Sequence, residues 1–254
     1  MFERKEGPLS KLYPLTKFVF LLCSIVLSIV FDWKFGYLVM VPLTLFLALF
    51  SGNFLGFIKK FIGALLLFVI FVFIFKIMLD KSDSQIIFQW QFVIIRIQGL
   101  IDGLNQTSVL VVMAAVVLLF FETTEIEDLM ISLQQRKVSH VVSYIVLSSL
   151  QMIPDMVKRS KVIMQAQQAR GIETEGNIFL RIRAFFPSLG PLIISSISEL
   201  EERAITLEVR GFSASVEKTF LKDVRSRSID TILSISFILL SALLLGWRIY
   251  LWLF

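Results

Sequence analysis

Two short runs offer chemistry for partner recognition: Gln168-Ala169-Arg170-Gly171 and Glu208-Val209-Arg210-Gly211. A glycine just past a helix takes the left-handed conformation that satisfies the last carbonyls. An arginine beside it stands at the negative end of the helix dipole. Its planar fork then reaches past the helix end and meets a carboxylate through two parallel hydrogen bonds. One such end is an ordinary cap. Two of them, forty residues apart and preceded by similar helices, point to two similar acidic sockets on a partner. Catalytic chemistry finds little support beside this. His140 is the only histidine and has no ligand-spaced Cys or carboxylate, so no metal site is expected, and no Gly-Lys pair occurs for a phosphate-binding loop.

The two helices that carry these ends run from about Pro154 to Arg170 and from about Pro191 to Arg210. With the arginines aligned, Ile153, Val157, Ser160, Met164 and Gln167 match Ile193, Ile197, Leu200, Ala204 and Leu207. Spacings of four and three place each set on one stripe, which predicts that the helices cross or pair through it. Ahead of them, Thr124-Glu125-Ile126-Glu127 has the capping-box pattern and opens a short helix to about Gln135. Val138–Ile153 is apolar on most sides and is expected to lie at the membrane boundary or to dip in partway. Glu199, Glu201 and Glu202 form a solvated face or pair with Lys158 and Arg159 across the crossing.

The rest of the chain must hold these helices in a bilayer. Of 254 residues, 56% are hydrophobic and 18% charged, with 25 Phe, more apolar surface than a water-soluble domain of this size can bury. One cysteine, Cys23, excludes a disulfide framework. Five segments approach the 20 or so apolar residues that a crossing needs: Leu15–Phe31, Phe35–Phe50, Phe57–Met78, Leu104–Phe121 and Ile229–Phe254. Pro42 is expected to kink the second. Residues 82–103, with Gln89, Gln91, Arg96 and Gln98, suit an external loop with a short strand pair. Gly52, Gly56, Gly99 and Gly103 have helix-packing spacing but fall among polar residues, where turns are the better reading; Ser24 and Ser28 suit close helix contact.

With the N-terminus inside, 20 of the 25 Lys and Arg lie on the inner side and 5 on the outer. That bias puts residues 122–228 in the cytoplasm and the C-terminus outside. The net charge of +5 is then explained by loops facing a membrane surface, not by nucleic acid; Lys222, Arg225 and Arg227 suit lipid phosphates. No Asp, Glu, Lys or Arg falls within 35–58, 61–75 or 103–121, which disfavours an ion-coupled transporter acting alone or an intramembrane hydrolase. The expected architecture is an all-α membrane protein with about five transmembrane helices and a coupling domain of two long crossing helices. Its divisions are 1–121, 122–228 and 229–254.

The ordered motifs resemble the transmembrane T component of energy-coupling factor transporters. Leu12-Tyr13-Pro14-Leu15-Thr16-Lys17 is similar to the family's N-terminal element, and Thr123-Thr124 with Glu127-Asp128-Leu129 to the start of its cytoplasmic helices. Ile153-Pro154 with Gln165–Gly171 is similar to the first coupling motif; Pro187 and Pro191 with Leu207–Phe212 are similar to the second. Val209 stands where the family usually has Ala. The resemblance implies a non-enzymatic subunit without a cofactor of its own. Two ABC-type ATPase subunits use the ATP and dock at Ala169, Arg170, Gly171 and at Val209, Arg210, Gly211. A small membrane-embedded substrate-binding subunit takes up a vitamin, vitamin precursor or metal ion. The alternative class is a stand-alone channel or lipid-handling enzyme with a regulatory insert.

Overall fold

The structure, a computed structural model, describes residues 7–79, 86–90, 93–136, 138–172, 177–214, 216, 224 and 226–253. Lys222 and Arg225 lie outside the described residues. The helices are α1 (Pro14–Val30), α2 (Trp33–Leu49), α3 (Phe54–Leu79), α4 (Ile97–Thr123), α5 (Ile126–Gln135), α6 (His140–Ala169), α7 (Ile178–Val209) and α8 (Ser228–Leu253). A two-stranded antiparallel hairpin, β1 (Ile86–Trp90) and β2 (Val93–Arg96), pairs Trp90 with Val93 and Gln89 with Ile94 and is irregular between Ile86 and Phe88. The strand pair expected in 82–103 is therefore present, but the loop ends early, because α4 begins at Ile97.

The chain divides into two compact units, Met1–Arg136 with Val224–Phe254, and Lys137–Asp223. α5, which the sequence reading groups with the insert, belongs to the first. Among the described residues four helices, α3, α4, α6 and α8, are long and apolar enough to cross a membrane, and α1 and α2 are shorter apolar helices. This is an all-α membrane architecture with a small hairpin.

In the first unit α4 is the central helix and packs against α1, α2 and α3. Leu21, Leu27, Met40, Val112, Val116 and Phe120 form one buried cluster, and Ala48, Phe57 and Leu119 a second. The outward faces carry Leu55, Leu66, Leu67, Phe71 and Leu243, all more than half exposed, as suits surfaces that meet lipid rather than water. Ser24 and Ser28 on α1 are buried, as their small size suggested.

Pro42 does disturb α2. Residues Gly36–Met40 form a π turn in which the Val41 N–H reaches the Gly36 carbonyl. Proline has no N–H to close the following turn, so the widened geometry accommodates it.

Gly99 and Gly103 are not turns. Both are buried inside α4, and a Cβ added to Gly103 would stand 3.1 Å from the Phe73 ring of α3. The polar neighbours that suggested a loop are the first turns of a helix. Gly103→Leu is therefore expected to destabilise the membrane unit by about 2 kcal/mol, the usual cost of overpacking a close contact. Thermal unfolding of the purified protein in detergent checks this; an unchanged midpoint would mean that the α3–α4 contact is loose.

Candidate functional site

Both Arg-Gly runs close their helices in the same way. At the end of α6 the Ile172 N–H donates to the Gln167 carbonyl at 3.1 Å and the Gly171 N–H to the Gln168 carbonyl at 2.9 Å. At the end of α7 the Phe212 N–H donates to the Leu207 carbonyl at 2.9 Å and the Gly211 N–H to the Glu208 carbonyl at 2.9 Å. Each is a complete Schellman pair. Gly171 has φ +85° and Gly211 φ +70°, a conformation that costs other residues about 1–2 kcal/mol.

The arginine at each cap is exposed and held in no ion pair among the described residues. Ala169 and Val209 beside them are exposed too, Val209 at 83%. Backbone bonds make the cap, so each guanidinium stays available.

The helices run antiparallel. Gln167 Nε2 donates to the Pro187 carbonyl at 3.4 Å, Ser188 Oγ lies 3.7 Å from Met164 Sδ, and Arg159 Nη2 pairs with Glu199 Oε2 at 2.6 Å. Further on, the Tyr144 and Phe212 rings stand 5.0 Å apart. As one residue number rises its partner's falls, so Arg170 and Arg210 project from opposite ends. From the level of Pro187 to Arg210 is 23 residues of α7, roughly 35 Å at 1.5 Å per residue.

Two expectations need correction. The helices do not begin at Pro154 and Pro191; they run from His140 and Ile178, with Pro154, Pro187 and Pro191 inside. Nor does the predicted stripe make the whole seam between them: Met164 and Gln167 make the contacts given above. Of its other residues, Ile153, Val157, Ile193, Ile197 and Leu200 are each at least half exposed, Ala204 is exposed, and Ser160 and Leu207 are partly covered. The seam is polar instead. Besides the contacts above, Arg159 Nη1 donates to the Ser195 carbonyl at 3.4 Å, Arg203 binds Glu199 Oε1 at 2.7 Å, and Ser188 and Ser196 are buried. The Glu199 carboxylate keeps the Arg203 guanidinium above its ordinary pKa, chiefly by hydrogen bonding. An ion pair and small hydroxyls bring these helices together, and the apolar stripe is left open.

A second polar site ties the first unit together at the start of α1. Asp230, 4% exposed, accepts the Tyr13 N–H on Oδ1 at 3.2 Å and the Arg227 N–H on Oδ2 at 2.9 Å, and its carbonyl accepts from Thr16 Oγ1 at 3.1 Å. Reaching back to Arg227 at the helix start, this carboxylate caps α8. Lys17, also buried, donates to the Thr123 carbonyl at 2.7 Å and the Ser10 carbonyl at 3.2 Å, a cation at the negative end of α4. Tyr13 Oη stands 3.1 Å from Gln135 Oε1, and burial raises its phenol pKa.

The Tyr13–Lys17 element thus latches α1 to the end of α4, to α5 and to the start of α8. Asp230 was not singled out in the sequence, because its partner is 217 positions away. Thr124 does not cap α5: Glu125 is the residue at its start, and the Thr124 hydroxyl is buried without a hydrogen-bond partner among the described residues. Asp230→Ala would strand the buried Tyr13 N–H and remove the acceptor of the Arg227 N–H, so a loss of about 2 kcal/mol is expected, read as a lowered unfolding midpoint. A midpoint equal to the parent's would deny the latch its role.

At the other end of the same unit, Arg248 pairs with Asp32 at 3.1 Å and the Trp33 N–H donates to Asn105 Oδ1 at 2.8 Å.

These features lie in order along sequences that compare closely. The family described as CbiQ, cobalt transport protein, matches residues 5–220, which include the latch element and both Arg-Gly ends. The energy-coupling factor transporter transmembrane protein EcfT of Staphylococcus aureus is 31% identical over 228 residues, covering 86% of this chain and 85% of the relative. The EcfT protein of Lactococcus lactis subsp. cremoris is 29% identical over 261 residues, covering 96% and 92%. That of Listeria innocua is 38% identical over 110 residues, 43% of this chain and 42% of the relative. With family and relatives matched over most of its length, the chain belongs to the transmembrane T components of energy-coupling factor transporters.

Proposed function

We propose that Arg170 and Arg210 each seat in an acidic socket of one ABC-type ATPase subunit, and that the paired helices carry ATP-driven motion to a small membrane-embedded substrate-binding subunit. The observation that carries this reading is the repetition of one device: two Schellman-capped helix ends, each presenting an exposed arginine. Two equal plugs imply two equal sockets, as a pair of ATPases provides.

The open stripe of Ile153, Val157, Ile193, Ile197, Leu200 and Ala204 supplies the surface for the substrate-binding subunit. So much apolar area on a polar-seamed helix pair calls for a partner. The chain itself has no catalytic role and no cofactor; ATP is bound and spent by its partners. The substrate is a vitamin, a vitamin precursor or a metal ion, selected by the separate binding subunit. In the cell membrane the helix pair lies on the cytoplasmic side, with the N-terminus inside and the C-terminus outside.

The test is co-purification. A tagged chain drawn from its own membranes in mild detergent should bring two ATPase subunits and one small membrane protein. A chain recovered alone, yet transporting in vesicles, would remove the coupling role.

A further inference from the structure

Arg159 and Glu199 stand at matching places in the two helices. Each lies eleven residues before its helix-end arginine, Arg159 before Arg170 and Glu199 before Arg210. The forty-residue offset that aligns the two ends therefore also aligns the two members of the ion pair. In antiparallel helices related in this way, a contact between equivalent positions falls on the pseudo-twofold axis, at the point of crossing. Eleven residues make three turns and about 16 Å of helix, so each arm has the same length and its tip lies on the same face as the pair.

We infer that the Arg159–Glu199 pair is the fulcrum of an equal-armed lever, a positioning pair that fixes the separation at which the two tips meet their sockets. This inference rests on the coupling reading above. The surroundings of the pair explain why a charge contact is needed there. Near the crossing the seam holds Ser195 and Ser196, and the apolar side chains at 157, 197 and 200 are each about half exposed. Little apolar burial resists sliding of one helix along the other. Glu199 supplies the register instead: one carboxylate oxygen takes Arg159 across the seam at 2.6 Å, and the other takes Arg203 on its own helix at 2.7 Å. Arg159 is braced in turn by the Ser195 carbonyl. Each charge is thus held on both sides, and a slip by one turn would unpair both helices at once.

A fixed spacing has a direct consequence for binding. Two tips on one rigid frame engage two sockets as a single bivalent event, and the gain is lost when the geometry wanders.

The experiment uses the whole complex, purified through a tag on this chain. Spin labels are placed at Gln165→Cys and Ile205→Cys, two exposed positions at the same forty-residue offset, in a Cys23→Ala background. The parent is expected to give one narrow distance distribution. Glu199→Gln keeps the shape and removes the charge; it should broaden that distribution and speed ATPase dissociation about tenfold, a partial loss of a bivalent gain whose lower end is about a hundredfold. The exchange Arg159→Glu with Glu199→Arg and Arg203→Glu, which reverses every charge of the cluster, should restore both.

An unchanged distribution in Glu199→Gln would overturn the fulcrum, and so would an exchange that rescues nothing. Arg170→Glu with Arg210→Glu separates the two ideas. It should release the ATPases while the distance distribution stays narrow. ATPases retained in that variant would count against the coupling reading, whereas the distances judge the fulcrum.

Discussion

Replacing both Arg170 and Arg210 by Glu is expected to abolish ATPase capture and transport while the protein still inserts and folds. Each substitution removes a charge-assisted fork and brings a carboxylate toward an acidic socket. Truncating one partner of an interfacial charge pair commonly costs 2–5 kcal/mol, so two losses should weaken capture on the order of a thousandfold. The fold should not suffer. Both side chains are exposed, and the caps that end α6 and α7 are made by the N–H groups of Gly171, Ile172, Gly211 and Phe212, with carbonyls of the preceding turn.

The matched variants with Lys in place of Arg refine the result. A lysine keeps the charge but loses the two parallel bonds, so partial capture should remain. Pull-down of the ATPase subunits, with membrane insertion followed in parallel, checks each outcome. Capture and uptake at the parent's level in the double Glu variant would dismiss the assigned plugs.

The helix ends were legible because their signal is local. Arg170-Gly171 and Arg210-Gly211 each place a glycine where a helix must stop, and that stop needs only a few consecutive residues. The spans were legible for a similar reason: length and the absence of charge suffice. What local reading missed required knowledge of a neighbour. The start of α4 looked like loop because Gln98, Gly99, Asp102 and Gly103 are polar or small, but Gly99 is buried within the helix and Gly103 is the residue on which α3 packs closely. Pro154 and Pro191 looked like helix starts, where proline is favoured; α6 and α7 run through them.

Asp230 showed no pattern at all, since Tyr13 and Thr16 meet it only after the chain has returned. The apolar stripe misled in a more instructive way. Its period was read correctly, and the residues do share one face of each helix. The further step, that an apolar face must be the seam with the nearest helix, assumes that the chain is complete by itself. In a subunit of a larger assembly the apolar face can be reserved for another polypeptide, and the internal seam is left to Arg159, Glu199 and the serines.

That reservation leads to the sharpest separation of roles. Val157→Asp with Ile197→Asp is expected to release the small membrane subunit while the ATPases remain bound. Both residues are about half exposed, and each would bury a branched side chain worth about 1.5–3 kcal/mol in an interface. Replacing both by carboxylates also puts two charges against an apolar partner surface, so capture of that subunit should fall a hundredfold or more. Neither position touches the caps: Val157 and Ile197 stand thirteen residues, more than three turns, from Arg170 and Arg210. Co-purification read separately for the two kinds of partner distinguishes this from simple misfolding, which would lose both. If the small subunit stayed bound while both carboxylates were in place, the stripe would belong to lipid, and the substrate-binding subunit would have to dock on the membrane helices alone.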